Sequence, residues 1–173
     1  MKTMFATVAV LISVALAACG GPVATPESRA FTDTDRAVIL TKLNLSADAQ
    51  GLVMNECGDL VTPQFLPAEL GGAVGTAILF AIGGGPSIAT CYGDGPDLHL
   101  FMREAAGWRE IYAARGEILA ILPSTTGGVR DLAGGGAGFS FPVFSWDGSR
   151  YAYAGRDISD AELSTMKVTY LPQ

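Results

Sequence analysis

The stretch DLHLFMREAAGWREIYAA, residues 97–114, gives the clearest secondary-structure signal in the chain. In its first half, Leu and Met at even positions alternate with His, Phe and Arg at odd positions, which is the period of a β-strand. In its second half, the same period places Trp108, Glu110 and Tyr112 on one expected face. The stretch therefore predicts two antiparallel strands that pair as a hairpin across Ala105-Ala106-Gly107.

Further strand-length runs, separated by Gly, Pro and Asp, lie on both sides of this hairpin. Another tight turn is predicted at Asp147-Gly148, because the Asp-Gly pair favours a two-residue β-turn. Helices are predicted over 33–43, behind a capping Thr32 or Asp33, and over 159–165. The predicted strands are 51–57, 64–70, 75–82, 97–104, 107–114, 117–122, 139–146, 149–154 and 167–171. We expect a mainly β fold, an antiparallel sandwich or barrel-like meander with an N-terminal helix and a short C-terminal helix.

Two glycine-rich segments, 71–85 and 127–138, interrupt these runs. Neither contains the Gly-Lys-Ser/Thr sequence of a phosphate-binding loop or the strand–turn–helix frame of a dinucleotide site. Glycine also permits tight turns and close backbone approach in β folds. We interpret both segments in that way and predict no cofactor.

The amino end has the layout of a secretory signal peptide. Lys2 precedes an apolar run that ends in Leu-Ala-Ala at residues 16–18, directly before Cys19. This sequence resembles the bacterial lipobox, in which the cysteine thiol receives a diacylglyceryl group, the signal is cut and the new amino group is acylated. Two or more acyl chains anchor a protein stably in a membrane. The resemblance implies lipidation at Cys19, and the alternative is an ordinary secreted protein cleaved near Ala18.

The lipobox resemblance divides the chain into a signal peptide (1–18), a lipidated cysteine with a flexible tether (19–30) and one β-rich domain (31–173). It implies a bacterial cell-envelope protein that is held to the membrane through its lipid anchor and faces the periplasm. Gly20 stands where an aspartate favours inner-membrane retention in such lipoproteins. We therefore expect the outer membrane rather than the inner membrane.

The composition of the mature chain excludes some classes of function. It has 173 − 18 = 155 residues, with 17 Asp and Glu against 11 − 1 = 10 Lys and Arg, a formal charge of −7. Without a basic patch, we expect no nucleic-acid partner. His99 is the only imidazole and lies in a predicted strand, outside any nucleophile motif such as Gly-x-Ser-x-Gly. We predict no catalytic residues and no metal site.

Cys57 and Cys91 are the two cysteines left after Cys19. In an oxidising compartment an even pair indicates a disulfide first. Closing a loop of about 35 residues would stabilise the fold by roughly 3–4 kcal/mol in the chain-entropy model. The alternatives are a metal site or a reactive thiol, for which one His and the absence of Cys-x-x-Cys give no support.

Several short motifs together resemble a family of exported bacterial lipoproteins of unassigned function. They are NEC at 55–57, CYG at 91–93, GWR at 107–109, GVRDL at 128–132 and GFSFPVFSWDGSRY at 138–151. Such proteins often carry an acidic segment similar to the calcium loops of FG-GAP and VCBS repeats. Here the corresponding segment, 69–76, reads ELGGAVGT, so the carboxylates that calcium requires are replaced by Gly and Ala. The resemblance therefore implies neither calcium binding nor a chemistry.

Aromatic residues are dense near the carboxyl end of the chain. If they are exposed, they would form a patch suited to contact with an envelope protein or a glycan; otherwise they fill the core. The segment DGSRY at 147–151 is similar in style to the Ser-Gly-x-x-Tyr loop of membrane-bound lysozyme inhibitors, in a different order. The candidate patch consists of Phe144, Trp146, Asp147, Ser149 and Tyr151.

These observations favour a non-enzymatic, envelope-anchored domain that binds or supports another envelope component. The alternative is a periplasmic inhibitor of a lytic enzyme such as lysozyme, which requires the 147–151 turn to project from the body of the domain. A hydrolase is the third hypothesis, and it requires a cleft in which Glu or Asp side chains converge.

Intact mass of membrane-extracted protein tests the anchor and the disulfide together. We expect acyl chains on the wild-type protein, none on a Cys19→Ala variant, and two alkylatable thiols only after reduction. An unlipidated wild-type mass would overturn the anchor hypothesis, and free thiols at Cys57 and Cys91 before reduction would overturn the disulfide hypothesis.

Overall fold

Two antiparallel β-sheets packed face to face form the body of the protein in a computed structural model, which describes residues 30–85, 87, 95–116, 118–135 and 140–171. The predicted signal peptide, Cys19 and Cys91 lie outside these residues. In the part described, no helix is both long and apolar enough to cross a membrane. The elements are α1 (Asp33–Lys42), β1 (Val53–Met54), β2 (Leu60–Val61), β3 (Gln64–Gly71), β4 (Gly75–Ile82), β5 (Asp97–Glu104), β6 (Gly107–Arg115), β7 (Ile118–Thr126), β8 (Val129–Gly135), β9 (Ser140–Trp146), β10 (Tyr151–Ser159), α2 (Asp160–Ser164) and β11 (Thr169–Leu171).

The first sheet has the order β3-β4-β5-β6 and contains the predicted hairpin of β5 and β6. Gly107 closes the turn with a φ of 126°, a conformation that favours glycine. The prediction that Trp108, Glu110 and Tyr112 share a face is wrong for Tyr112. A β-bulge leaves Ile111 without a register partner and shifts the alternation, so Trp108 packs beneath α1 and Tyr112 packs between the sheets.

The second sheet has the order β10-β9-β8-β7-β11, again antiparallel throughout. The predicted Asp147-Gly148 turn joins β9 to β10, and Gly148 has a φ of 102°. The short strand β11 pairs with β7 at the opposite edge from β10. The expected mainly β fold with antiparallel sheets and two short helices is therefore confirmed, in its sandwich form.

Strand β4 has six consecutive buried residues, from Ala77 to Ile82, because both of its faces are covered. Its odd-numbered residues pack between the two sheets, whereas Ile78, Phe80 and Ile82 point outward. A continuous apolar run of strand length is typical of a strand buried on both faces. The sequence of β4 therefore requires a layer on each side of the first sheet.

Helices provide the outer layers of the sandwich. Helix α1 and the small β1–β2 hairpin cover the outer face of the first sheet with Ile39, Val53 and Val61. Helix α2 covers the outer face of the second sheet, where Leu163 packs against the side chains of β9. This outer cover explains why both faces of β9 are apolar.

The glycine-rich segments have two different structures. Gly72 at the β3–β4 turn lies so close to the β7–β8 turn that an added Cβ would be 2.7 Å from the carbonyl of Gly128, which confirms close backbone approach. Tight turns and close approach also occur in 127–138, at Gly127–Gly128 and at Gly134, but the sequence predicts no strand there, whereas Val129–Gly135 forms β8 inside the second sheet. Leu132 is buried on the face of β8 that points to the first sheet, and Ala133 is buried on the opposite face. Tertiary packing on both faces therefore stabilises this segment as a strand.

A buried carboxylate fixes α1 to the first sheet. Asp35 is only 6% exposed, and its two oxygens accept hydrogen bonds at 2.9 and 3.2 Å from the Arg103 guanidinium. The indole of Trp108 donates a third hydrogen bond at 3.0 Å, and Thr32 at the helix N-cap donates two more. The Arg103 guanidinium holds the pKa of Asp35 far below its usual value of 3.8, against the opposing effect of burial.

Replacing Asp35 with Asn should lower the free energy of unfolding by about 2–4 kcal/mol, because the Arg103 guanidinium loses its counter-ion. In the wild type, the pKa of Asp35 is lower in the folded than in the unfolded protein. The stabilisation from ionised Asp35 is therefore present above the usual pKa of 3.8 and is lost as the pH falls below it. Urea denaturation at neutral and acid pH would show both effects. Asp33→Asn is the matched control, since Asp33 is fully exposed on the same helix turn. Equal stability of the two variants at neutral pH would contradict the role of Asp35.

Candidate functional site

The structure separates the five residues of the candidate patch into core and surface. Trp146 and Tyr151 are 8% and 6% exposed and belong to the core between the sheets. Phe144 is half-buried at the border of that core, and only Asp147 and Ser149 are exposed. The strand alternation of β9 is the reason, because Phe144 and Trp146 have the parity that faces the first sheet. The two largest rings therefore do not form an exposed patch.

The aromatic side chains form a continuous row instead, which runs from the surface into the core. Its successive ring centroids lie 6.4, 5.1, 6.2 and 5.7 Å apart, and each pair meets edge to face. Such geometry is the preferred arrangement of aromatic pairs. We call this set the aromatic row; in order it consists of Tyr153, Phe144, Tyr112, Tyr151 and Trp146.

A groove of about 290 Å³ opens along this row between β6, at the edge of the first sheet, and β10, at the edge of the second. The part of the row nearest the surface forms its aromatic wall, and Arg150 also lines it. We call it the aromatic groove. Its lining residues are Glu110, Ile111, Tyr112, Ala113, Phe144, Arg150, Tyr151 and Tyr153.

Tyr153 is the most exposed ring of the row, at 56%. Its hydroxyl donates a hydrogen bond of 2.9 Å to Asp157, and this bond raises the pKa of Tyr153. The β9–β10 register shifts between these two residues, so an irregular segment brings the carboxylate back to the ring. The ring is therefore held in a fixed orientation at the mouth of the groove.

Asp147 organises the turn beside the groove. Its Oδ1 accepts hydrogen bonds of 2.8 Å from the backbone N–H groups of Ser149 and Arg150, and these bonds lower the pKa of Asp147. Arg109 on β6 donates a hydrogen bond to the carbonyl of Ser149, and Glu104 binds the same guanidinium at 2.5 Å. The exposed turn is thereby tied to the first sheet across the groove.

Tyr112 and Gly134 show how closely the two sheets approach beneath the groove. A Cβ on Gly134 would lie 2.6 Å from the Tyr112 hydroxyl, so only glycine leaves room for this ring. Burial raises the pKa of Tyr112 to about 12. Strand alternation alone places Tyr112 on the face of Trp108. A β-bulge and a strand of the other sheet, neither of which has a local sequence signal, bring it into the row instead. Tyr153 could have been found, because it lies two residues beyond Tyr151 on the same strand.

Another cleft, of about 480 Å³, lies between the end of α1 and the β5–β6 hairpin. Its two carboxylates each have a cationic or imidazole partner: Glu104 binds Arg109, and Glu110 lies 2.5 Å from His99 Nδ1. Trp108 and Phe101 line it but belong to the packed layer beneath α1. The hydrolase hypothesis requires converging carboxylates, and each of the two carboxylates of this cleft is paired with one of these partners.

No group of three or more His, Cys, Asp or Glu side chains suited to a metal ion occurs within the described residues. Cys57 is disulfide-bonded in the structure, whereas Cys91 lies outside the described ranges. The pairing of Cys57 with Cys91 therefore stays a prediction. Buried Asp131 accepts hydrogen bonds from Ser124 and Thr126, so that carboxylate has a local structural role.

Trp146 and Tyr153, at the two ends of the aromatic row, differ in exposure, so replacing each with Ala should change stability by different amounts. Trp146→Ala should lower the free energy of unfolding by about 3–5 kcal/mol, because it leaves a cavity between the sheets. Tyr153→Ala should leave stability close to that of the wild type, because its ring is mostly in solvent. Urea denaturation of both variants would measure the difference. A Trp146→Ala protein of wild-type stability would contradict the core assignment.

Comparison with known proteins adds no family to these observations. No protein-family model, no curated protein and no solved structure matches this chain. The functional interpretation therefore depends on the chemistry of the aromatic groove and on the sequence of the amino end.

Proposed function

We propose that this chain is a non-enzymatic lipoprotein of the bacterial cell envelope whose β-rich domain binds another envelope component. In this proposal, lipidation at Cys19 holds the protein at the membrane, preferentially the outer membrane, with the domain in the periplasm. The observation that carries the binding role is the aromatic groove between the edges of the two sheets. The sequence of the leader supports the location.

The groove has the composition of a recognition site rather than of a catalytic one. Tyrosine is enriched among residues that dominate binding energy, since its ring offers a large contact area and loses few rotamers on binding. Tyr153 is already fixed by Asp157, which reduces the entropy lost on binding further. Arg150, whose side chain is 75% exposed, adds a donor that a polar partner can use.

The predicted tether gives the domain a defined reach from the membrane. Twelve residues, 19–30, span at most about 40 Å when fully extended. A tethered domain meets components within that distance at a high effective concentration, so moderate intrinsic affinity suffices. This arrangement supports a partner that is itself fixed in the envelope.

Inhibition of a lytic enzyme such as lysozyme is the second candidate, and the exposed turn at Asp147–Arg150 supports it. The hydrogen bonds of Asp147 and Arg109 hold this turn in one conformation, as an inhibitory loop requires. Residual lysozyme activity in the presence of the purified protein separates the two candidates. Complete inhibition that is lost in Ser149→Ala or Arg150→Ala would favour the inhibitor.

Co-sedimentation of the detergent-extracted, full-length protein with isolated envelope fractions tests the binding role. We expect Tyr153→Ala to weaken retention about tenfold, because it removes the exposed ring of the groove. Tyr170→Ala is the matched control, since Tyr170 is 39% exposed on β11 at the far edge of the same sheet. Equal retention of the wild type and Tyr153→Ala, or equal loss in both variants, would contradict the proposed site.

A further inference from the structure

We propose that the aromatic groove binds an extended peptide segment of an envelope protein, which adds a strand to the first sheet beside β6. This inference rests on the proposed function, because it names the partner class of the same site. It follows from the way β6 lines the groove, from the free edge of that strand and from the exposed ring of Tyr153.

The groove is lined by the edge of β6 rather than by one of its faces. Four consecutive residues of this strand, Glu110–Ala113, line it. Their side chains do not share a face, because Glu110 contacts His99 on the α1 side of the sheet, whereas Tyr112 packs between the two sheets. Neighbours of alternating orientation have only their backbone in common at the groove. The chemistry that β6 presents there is therefore that of backbone N–H and C=O groups.

This backbone has hydrogen-bonding capacity that the described part of the chain leaves unused. There, β6 is the last strand of the first sheet and pairs with β5 alone. Alternate residues of an antiparallel strand direct N–H and C=O away from the neighbouring strand. Residues 110–114 form no backbone-to-backbone hydrogen bond on that side within the described residues. A row of donors and acceptors at this spacing is matched by another extended chain, so the edge selects a peptide strand.

Side chains leave this part of the edge open. Edge strands commonly avoid further pairing through charged side chains, proline or bulges. From Tyr112 to Ala114 the strand carries no charge, and two of its three residues are alanines. The bulge at Ile111 comes before this run, and Tyr112–Arg115 keeps an unbroken register with Asp97–Leu100.

Each of the other three edge strands is less suited to accept a partner strand. Strand β3 contains Pro67 in its middle, which has no N–H to donate. Strand β11 is only three residues long. The register of β10 shifts between Tyr153 and Asp157, so its backbone is irregular where a partner would pair.

The aromatic row determines which side chains the peptide should present. A strand added beside β6 directs every second side chain toward the second sheet, on the side of Tyr112, Phe144 and Tyr153. Apolar side chains at these positions would bury part of the Tyr153 ring, which is 56% exposed. We therefore expect a segment in which apolar residues alternate with polar ones.

The charge of the chain favours a segment of another protein over a second copy of this one. The formal net charge is −6, so two copies repel each other at long range. A neutral or basic segment meets no such repulsion. Pairing of β6 with β6 of a second copy is the alternative occupant, and analytical ultracentrifugation distinguishes it.

Peptides selected from a random library displayed on phage, against the detergent-solubilised full-length protein, test this inference. We expect the selected sequences to alternate apolar and polar residues, and their synthetic, end-capped forms to bind in isothermal titration. Tyr153→Ala should weaken this binding at least about tenfold, because it removes the exposed ring of the groove. Tyr170→Ala is the matched control and should bind as the wild type does, since Tyr170 lies on β11 at the far edge of the second sheet.

Methylation of the peptide backbone separates strand addition from binding through side chains alone. Two versions of one selected peptide are compared, each N-methylated at one of the two alternating sets of residues, with the side chains unchanged. An added strand uses the N–H groups of one set to pair with β6, so one version should lose binding at least about tenfold and the other should stay within about threefold of the parent. Amide hydrogen exchange in the complex should slow within residues 110–114.

Three outcomes would overturn the inference. The first is that no library peptide binds the wild type, and the second is that both methylated versions bind equally well. The third is a dimer of the full-length protein that a selected peptide dissociates, because a second copy would then occupy the edge of β6.

Failure of this inference is distinguishable from failure of the proposed function. If Tyr153-dependent co-sedimentation with the envelope persists while strand addition fails, the groove binds a component other than an extended peptide, and only the partner class is wrong. If peptides add to β6 but the protein does not co-sediment with the envelope, the groove is a peptide site and the envelope role is wrong.

Discussion

Burial of strand β4 on both faces is the constraint on which the rest of the structure depends. Ala77, Leu79 and Ala81 need a partner on one side of the first sheet, and the residues between them need one on the other. The second sheet and α1 meet these two requirements. Because α1 is fixed by the buried Asp35–Arg103 pair, the helix cannot slide away from the face that it covers.

The aromatic groove is a consequence of how the sandwich ends. Two sheets that pack face to face leave open edges, and here β6 and β10 form one such edge. Large rings from both sheets fill the space between them, so the same row that closes the core also reaches the surface at Tyr153. Stability and the proposed recognition therefore draw on neighbouring members of one row. The two roles fall to different rings, because the inner rings of the row are buried and the outer ring, Tyr153, is not.

Local sequence signals predicted most of the elements but not all of their roles. The predicted strands 75–82 and 97–104 match β4 and β5, since alternation and apolar runs depend on neighbours along the chain. The helix after Thr32 and the helix after Ser159 also form where their capping residues indicate. Strand β8 was missed because its glycines resemble turn residues, and only its neighbours in the sheet make it a strand. The bulge at Ile111 left no signal, because register is a property of two paired strands.

The sequence by itself determined most of the secondary-structure order and the antiparallel β class, and it predicts a lipoprotein-like leader, because each depends on residues close together in the chain. Only the tertiary structure decided which aromatic side chains are core and which are surface. Trp146 and Tyr153 lie on adjacent, paired strands, yet one is 8% and the other 56% exposed. The physical reason is that burial depends on what packs against a strand from elsewhere. The first sheet covers Trp146, and nothing in the described part of the chain covers most of Tyr153.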